Sequence, residues 1–235
     1  MKKIAVLLLC LAATISVSAQ KSKKVKAEGP VVTKERSMND FTSIEVSAGL
    51  DVYLTQGNGI SVTVETEENL HEYVKTEVKD GTLHVYKKVS FKDSKTHKVH
   101  VTMGKIETIH ASSAGDVLGE NTIEAGELYL NASSAGDIKL DLKAKKVIAE
   151  CSSAGDIILS GKAVVLKGTA SSAGDLKAGK LEVKEAEVIS SSSANITVRV
   201  SDKLRAIASS VGDITYYGNP KLDKTVSSLG SVKKK

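Results

Sequence analysis

The chain has 235 residues, 26% of them charged, and its formal net charge is +5. Aromatic residues make up only 3% of the chain and Trp is absent, so it lacks the stacking side chains on which single-stranded nucleic acids bind. Nucleic-acid binding is therefore not expected, and neither is a cofactor.

The first nineteen residues have the pattern of a secretory signal peptide. Lys2 and Lys3 form a charged n-region, residues 4–17 form an apolar h-region, and cleavage is predicted between Ala19 and Gln20. The apolar run is too short to span a bilayer, and no later stretch reaches the roughly 20 apolar residues of a transmembrane helix. We therefore expect an exported protein without a transmembrane segment, located in the periplasm, on the outer-membrane surface or outside the cell.

The sequence makes different predictions for the two cysteines, one in the signal peptide and one in the mature chain. Cys10 would suggest a lipoprotein, but Leu9 before it is bulkier than the small residue that such a site needs. Removal of the signal peptide leaves Cys151 alone, so no internal disulfide is expected. The pattern around Cys151 indicates a small buried residue rather than a reactive thiol.

Both ends of the predicted mature chain are basic. Residues 21–36 and residues 221–235 each carry a net charge of +4, whereas the segment between them is acidic. Basic ends could contact phosphate, lipopolysaccharide or anionic glycans, but lysine runs at termini are more often solvated tails. We predict that residues 20–37 form a flexible basic leader.

Residues 38–110 are rich in strand patterns but show no repeat. Alternating apolar residues predict strands over 44–47, 51–55 and 60–65, and residues 67–73 suggest one helical turn. The dipeptide Asp80-Gly81 separates two further alternating runs, which is a strong hairpin signal. Because the apolar end of a repeat array must be covered, we expect this region to cap the array formed by residues 111–235.

The second half of the chain is built on one repeated hexapeptide. The sequence Ala-Ser-Ser-Ala-Gly-Asp begins at Ala111 and recurs in full or weakened form six more times. Successive copies are 18 to 21 residues apart, and their first serines are Ser112, Ser133, Ser152, Ser171, Ser191, Ser209 and Ser227. Seven copies near one period indicate a stacked array.

Each copy lies between two short runs with period-2 alternation, which predicts strands with one buried face. No helix-period segment separates these runs. The predicted fold is all-β, a right-handed parallel β-helix (β-solenoid) with about 18–21 residues per turn. A β-sandwich also has short strands, but it does not require the same hexapeptide at every turn, whereas stacked rungs about 4.8 Å apart do.

The glycine of the hexapeptide has two interpretations. If the inward parity of Leu128, Leu130 and Ala132 continues, the second serine and the glycine also face inward, where only small groups fit. Alternatively, the glycine adopts a positive φ in a tight corner, and the alternation of inward- and outward-facing residues starts anew after it. The pattern leaves both open.

The acidic residue of the hexapeptide is the candidate binding feature. Stacking would place Asp116, Asp137, Asp156, Asp175, Asn195 and Asp213 in one column. Neighbouring carboxylates about 5 Å apart would repel, so the charge must be offset. Either each carboxylate accepts a backbone N–H in its turn, or the column binds Ca²⁺, which prefers six to eight oxygen ligands. Because Asn195 fills the same position, the turn interpretation is favoured and no metal site is predicted.

No catalytic residues are predicted. All five histidines precede the first full repeat, so a Ser-His-Asp arrangement would have to join two regions of the molecule. The chain also lacks the Cys/His spacing of a zinc site. The serines are therefore interpreted as structural ladders.

The iterated Ser-Ala-Gly-Asp-Ile repeat, with its variant Ala194-Asn195-Ile196, resembles the putative autotransporter-adhesin head family known for its Gly-Ile-Asn repeat, which is common in Bacteroidetes. The opening at residues 41–52, Phe-Thr-Ser-Ile-Glu-Val-Ser-Ala-Gly-Leu-Asp-Val, is similar to the start of that family's domain. The resemblance covers residues 38–218. It implies a pectin-lyase-like β-helix, a surface or periplasmic location and an adhesive role without known catalytic residues.

The sequence thus favours a non-catalytic binding or adhesion module of the cell envelope that recognises a protein or a glycan. One alternative is a Ca²⁺-dependent, polysaccharide-lyase-like β-helix enzyme, which would need a basic residue beside the acidic column and aromatic platforms for sugar. The other is a scaffold that forms homo-oligomers by stacking of rungs or faces.

Overall fold

The computed structural model describes residues 23–235, which fold almost entirely into β-strands. A single 3-10 turn lies at Glu68–Leu70, and no helix in this part of the chain is long and apolar enough to cross a membrane. The strands are β1 Lys24–Lys26, β2 Val31–Arg36, β3 Ser43–Val46, β4 Asp51–Gln56, β5 Ser61–Glu67, β6 Val74–Lys79, β7 Thr82–Lys87, β8 Ser90–Lys92, β9 His97–Met103, β10 Thr108–Ala111, β11 Asp116–Gly119, β12 Ile123–Ala132, β13 Asp137–Cys151, β14 Asp156–Ala170, β15 Asp175–Ser190, β16 Asn195–Ala208, β17 Asp213–Tyr217, β18 Lys221–Val226 and β19 Ser231–Lys234.

The strands from β10 onwards form a coil of stacked parallel turns. In β13 and β14, Asp137 lies beside Asp156 and Cys151 lies beside Ala170, so that each turn repeats the one before it. We call the segments that lead into the hexapeptide, such as 146–151, face A, and the segments that follow it, such as 137–142, face B. The hexapeptide turn is the serine corner, and the opposite edge, near residues 143–145, is the bend. The predicted β-solenoid is confirmed.

The core of the coil follows the alternation seen in the sequence. Ile138, Leu140 and Leu142 of face B are buried, whereas Lys139 and Asp141 between them are exposed. Burying one such aliphatic side chain contributes about 1.5–3 kcal/mol. The same pattern in each turn gives one continuous apolar core along the rod.

The serine corner is a tight turn with two left-handed residues. In the turn at 152–155, Ser153 and Ala154 have φ values of 50° and 60°, and the Gly155 N–H donates to the Ser152 carbonyl at 2.9 Å. Positive φ at both central positions is the geometry of a type I′ turn. The second serine is therefore exposed and occupies the first left-handed position of the turn, in contrast to the interpretation in which it faces inward with the glycine.

The corner glycine is required for space and not for its φ. It is buried, and a Cβ on Gly155 would lie 2.6 Å from the backbone of Ala132 and Ser133 in the preceding turn. Each of the two interpretations is thus correct in part: the glycine faces inward, as in the first, but the corner does contain positive φ values, at the two residues before the glycine.

Differences in repeat length are taken up away from the serine corner. The register shifts between neighbouring turns fall between Ile158 and Ser160, between Ala178 and Glu182, and between Val183 and Glu185. All three lie on face B or at the bend. The corner therefore has the same geometry in every turn, and the bend varies.

The N-terminal region contains one turn of the coil and the strands beyond it. Strands β3 and β4 pair in parallel with β10 and β11, so they form a coil turn inside the stretch that we predicted as cap. Strands β7 and β9 pair on the other side of that turn. The antiparallel strands β6, β5 and β2 continue the sheets beyond them, and β6 and β7 form the hairpin predicted around Asp80-Gly81.

The prediction of a flexible leader is wrong for the described residues 23–37. Strand β2 pairs antiparallel with β5, and Arg36 donates a hydrogen bond to the His71 carbonyl at 3.0 Å. Strand β1 pairs with β8. The basic composition suggested a solvated tail, but the edge of β5 offers backbone groups that β2 satisfies. The predicted signal peptide and its cleavage site lie outside the described residues.

Candidate functional site

The six predicted site residues form one column on face B. Each is the first residue after its serine corner, and its neighbours in the column come from the turns before and after it: Asp116, Asp137, Asp156, Asp175, Asn195 and Asp213. The column continues to Asp51 at one end and to Ser231 at the other. Sequence reasoning missed Asp51, although residues 47–51, Ser-Ala-Gly-Leu-Asp, are a weak copy of the hexapeptide.

Backbone groups and one lysine offset the charge of this column. Oδ1 of Asp137 accepts the Asp156 N–H at 3.1 Å, and Oδ1 of Asp156 accepts the Asp175 N–H at 3.2 Å. The Lys177 Nζ lies 2.5 Å from Oδ2 of Asp156 and 3.4 Å from Oδ2 of Asp175. Asp116, Asp137 and Asp156 therefore cap a backbone N–H of the next turn, rather than of their own turn. Asp175 and Asp213 instead accept from side chains of the next turn.

Two groups of this column have a shifted pKa, the carboxyl of Asp116 near one end and the ammonium of Lys177 beside the centre. Burial raises the pKa of Asp116 above its ordinary value, although the N–H of Asp137 acts in the opposite direction. The hydrogen bond to Asp156 raises the pKa of Lys177, so its ammonium stays charged between two carboxylates. Within residues 23–235 no cluster of three or more His, Cys, Asp or Glu side chains is arranged to hold a metal ion.

The histidines contact groups other than the corner serines. His84 Nδ1 lies 3.2 Å from a carboxylate oxygen of Glu45, and His100 Nε2 lies 3.8 Å from one of Glu65. His71 Nε2 contacts the Val32 carbonyl at 3.0 Å, and burial lowers the pKa of this imidazole. These contacts belong to the N-terminal strands, so they give no support to a Ser-His-Asp arrangement in the repeats.

A long groove follows the bend on the opposite edge of the rod. Its volume is about 1250 Å³, somewhat larger than most small-molecule pockets. The floor is a column of small aliphatic side chains, one from each of five successive turns: Ala125, Ala144, Ala163, Val183 and Val200. With about 4.8 Å between turns, this floor is about 19 Å long.

One rim of the groove consists of paired charges. Lys143 Nζ lies 3.2 Å from a Glu124 carboxylate oxygen, and Lys162 Nζ lies 3.4 Å from one of Glu182. Arg199, the last residue of this rim, lies over the ring of Tyr217 at 5.0 Å.

The other rim is the bend itself and carries unpaired cations. Its column runs through the residues that follow the floor positions: Gly126, Lys145, Val164, Lys184 and Ser201. Val164 is 45% exposed and lies between Lys145 and Lys184 of the adjacent turns. Neither lysine has an ion-pair partner among residues 23–235. The floor side chains of Ala144, Ala163, Val183 and Val200 are only 1–8% exposed, so the accessible features of the groove are Val164 and a rim of excess positive charge.

Sequence reasoning missed this groove because no motif marks it. Aligning the repeats on their serines would have placed Lys143-Ala144-Lys145 above Lys162-Ala163-Val164, but Glu182-Val183-Lys184 joins them only after a one-residue shift. The signal is a small apolar residue preceded by a charged one, once per turn, and it is weaker than an identical hexapeptide.

A family model matches residues 40–220, which is most of the chain and includes both the aspartate column and the groove. Its description is the putative auto-transporter adhesin, head GIN domain. The chain belongs to this head GIN domain family. The resemblance that the repeats indicated is thereby confirmed.

Solved structures of similar fold include proteins from Bacteroides and Parabacteroides species. A putative adhesin from Bacteroides fragilis has 22% sequence identity and a TM-score of 0.83, over 90% of this chain and 100% of that one. A putative adhesin from Parabacteroides distasonis has 23% identity and a TM-score of 0.73, and a putative lipid binding protein from the same species has 21% and 0.72. Both cover 91% of this chain and 100% of theirs. No curated protein sequence matches the chain.

Proposed function

We propose that this member of the head GIN domain family is a non-catalytic binding module of the bacterial cell envelope, and that it holds its ligand in the groove along the bend. The observation that carries the proposal is the groove itself, an open channel that crosses five turns. On one of its rims the exposed Val164 lies between two lysines that have no ion-pair partner among the described residues. Elongated concave surfaces are the usual binding surfaces of solenoid proteins.

The charge of the groove indicates an anionic ligand. Two of its lysines are neutralised by Glu124 and Glu182, whereas Lys145 and Lys184 have no such partner in the described part of the chain. A ligand with negative groups would therefore gain attraction without displacing an existing ion pair. The aspartate column is a poorer candidate, because its carboxylates already accept backbone N–H groups and its lysine is engaged.

The proposal also agrees with the names given to similar proteins. Two similar structures are described as putative adhesins and one as a putative lipid binding protein. For this chain, adhesion and location in the envelope are part of our proposal, and so is the absence of catalysis.

A binding panel tests the proposal. The chain from Gln20 to Lys235 would be exposed to polygalacturonate, lipopolysaccharide and vesicles of phosphatidylglycerol and phosphatidylcholine, with bound amounts measured by biolayer interferometry. We expect at least one anionic ligand to bind and to be recovered chemically unchanged by mass spectrometry. The double variant Lys145→Glu/Lys184→Glu should bind at least about tenfold more weakly, a loss of about 1.4 kcal/mol.

The matched control changes the same net charge elsewhere. Lys79 and Lys92 are exposed lysines of the N-terminal region outside the groove, and Lys79→Glu/Lys92→Glu should retain wild-type binding. Cleavage of any ligand during the assay would contradict the non-catalytic assignment. Equal losses in the two double variants would show that net charge, and not the groove, determines binding.

A further inference from the structure

The last two turns of the described coil carry exposed apolar side chains beside a group of lysines. Leu229, Val211 and Val226 lie together at the serine corner of these turns, and we call them the tip. We infer that the tip docks on an anionic lipid membrane, with its apolar side chains at the boundary between head groups and acyl chains and the neighbouring lysines beside the phosphates. The tip shares no residue with the groove, so the two sites can act independently.

The first observation is the exposure of the tip. Leu229 is 87% exposed, Val211 54% and Val226 46%, which makes them the three most exposed large apolar side chains of residues 23–235. Val211 and Leu229 are neighbours along the rod, because the Val211 N–H donates to the Ser228 carbonyl at 3.1 Å. Single exposed apolar residues are normal, whereas a cluster of them marks an interaction site.

The second observation is that this corner holds bulky residues where the other turns hold small ones. Val211 and Leu229 occupy the second left-handed position of their corners, with φ values of 64° and 62°. In the five turns before them this position is alanine or serine: Ala114, Ala135, Ala154, Ala173 and Ser193. A β-branched or bulky residue rarely adopts a positive φ. The fold therefore does not require Val211 or Leu229, which favours a role in contact with a partner.

The third observation is the charge around the tip. Residues 221–235 have a net charge of +4 and contain five exposed lysines, none of which forms an ion pair within residues 23–235: Lys221, Lys224, Lys233, Lys234 and Lys235. Four of them lie on β18 and β19, so they are held on the rod beside the tip. Apolar side chains that protrude next to several lysines are the combination that binds anionic lipid surfaces.

The fourth observation argues against a second copy of the chain as the partner. Lys224 is in register with the buried Ala206, so it occupies a core position of the last described turn. Another rod stacked on this end would bury the Lys224 ammonium without a partner, and inward-pointing charges on edge strands oppose such pairing. Two tips that met would also bring two basic ends together.

The depth of docking follows from the open strand edges. In the described part of the chain, β18 pairs with β16 and β19 pairs with β17, each on one side only. Backbone groups without partners do not enter hydrocarbon. The strands therefore stay among hydrated head groups, and only the side chains of the tip reach the acyl chains.

Vesicle co-sedimentation measures the docking. The full mature chain would be mixed with sucrose-loaded vesicles of phosphatidylcholine, with and without phosphatidylglycerol. We expect binding to the anionic vesicles to be at least about tenfold tighter than binding to the neutral ones. Added salt should weaken it, because salt screens the attraction between lysines and phosphates. Absence of binding to anionic vesicles, or equal binding to both kinds, would overturn the inference.

Substitutions at the tip have a structural control within the chain. Because alanine and serine fill the same position in other turns, Val211→Ala/Leu229→Ser should keep the wild-type circular dichroism melting curve. It should bind anionic vesicles at least about tenfold more weakly, since less apolar surface enters the membrane. Ala154→Ser, at the same position in the middle of the rod, should bind as wild type. Wild-type binding by the tip variant would contradict the inference.

The contribution of the lysines is tested in the same way. Lys224→Gln/Lys233→Gln should weaken binding to anionic vesicles, whereas Lys79→Gln/Lys92→Gln, in the N-terminal region, should leave it unchanged. Equal losses in the two variants would show that net charge, and not the tip, determines membrane binding.

A fluorophore at the tip reports its surroundings directly. The chain contains no Trp, so Leu229→Trp supplies the only one. Its emission should shift to shorter wavelength when anionic vesicles are added, and brominated phospholipids should quench it. Ala154→Trp, at the same corner position in the middle of the rod, should show neither change. The same response at both positions would mean that the rod lies flat on the membrane, against docking through its end.

The remaining outcomes separate the tip from the groove and from self-association. The tip variant should keep any binding of polygalacturonate and lose only the vesicles. Loss of vesicle binding in Lys145→Glu/Lys184→Glu alone would assign the membrane to the groove and overturn the inference. Sedimentation velocity without lipid should give a monomer, and a dimer that Leu229→Ser dissociates would show that the tip binds a second copy instead.

Discussion

The serine corner and the bend are the two edges of the same coil, but they obey different constraints. At the corner, left-handed residues, a buried glycine and a fixed hydrogen bond recur with little change in each turn. At the bend, residue types vary and register shifts occur. The comparison teaches that the repeated motif builds the rod. At the bend, residue types can change from turn to turn without disturbing the coil, so this edge can carry side chains suited to a ligand.

The largest expected effect comes from adding one methyl group at each edge. Gly155→Ala at the corner would place a Cβ 2.6 Å from backbone atoms of the preceding turn, whereas a Cβ on Gly126 at the bend meets nothing within 4 Å. Overpacking against backbone should cost Gly155→Ala about 2–3 kcal/mol in the free energy of unfolding. Gly126→Ala should change it by less than about 0.5 kcal/mol.

Urea denaturation of both variants measures this difference. Ala194 occupies the glycine position in one turn, where the turn hydrogen bond lengthens to 3.2 Å from the 2.9 Å of the turn at 152–155. That turn has adjusted to its methyl group, so Ala194→Gly should be nearly neutral. Equal costs at Gly155 and Gly126 would show that the corner is no tighter than the bend.

An intermediate effect concerns Cys151, which lies immediately before a serine corner. Its side chain is 2% exposed, and burial raises the pKa of the thiol from 9.0 to about 12. The folded chain therefore keeps a proton that the unfolded chain releases between pH 9 and pH 12. Stability is unaffected by this group below pH 9 and falls by about 1.4 kcal/mol per pH unit as the pH rises through that window.

Comparison with Cys151→Ala isolates this contribution from other groups that titrate in alkali. Denaturation at pH 8 and at pH 10 should show a steeper loss of stability in the wild type than in the variant. Parallel losses would mean that the thiol is accessible to solvent in the folded state, and that the core beside the corner is looser than its geometry indicates.

The smallest effect is expected in the aspartate column. Asp156→Asn removes the charge of the nearer of the two carboxylates that contact Lys177. Asp137→Asn leaves an amide oxygen that can still accept the N–H of Asp156. We expect Asp156→Asn to cost less than about 1 kcal/mol, and slightly more than Asp137→Asn. Millimolar Ca²⁺ should shift the wild-type melting temperature by no more than about one degree.

Differential scanning calorimetry of the wild type and both variants, with and without Ca²⁺, measures the cost of each substitution and the shift in melting temperature caused by Ca²⁺. A specific Ca²⁺ site would stabilise the chain by about 2.7 kcal/mol at one hundred times the dissociation constant. A clear Ca²⁺-dependent shift in melting temperature that disappears in Asp156→Asn would favour the lyase-like alternative. The proposed binding site would then lie on face B and not at the bend.

The same comparison explains what the sequence could reveal. Identical residues at a fixed period predicted the coil, the corner and the aspartate column, because stacking demands repetition at those positions. The sequence did not predict the groove, because its floor consists of alanine or valine and its rim of glycine, lysine, valine or serine, so no residue is repeated in every turn. Strand β2 was missed because its pairing with β5 depends on an edge that becomes visible only in three dimensions.

The register shifts have a consequence for how this rod can be altered. A chain that closes every turn at one fixed corner and adjusts its length near the opposite edge can accept extra residues there without displacing the turns above and below. Surface connections of this kind are the usual places where inserted loops are tolerated. Short peptides inserted after Lys145, Val164 or Lys184 would then be displayed in a line, at intervals set by the spacing of the turns.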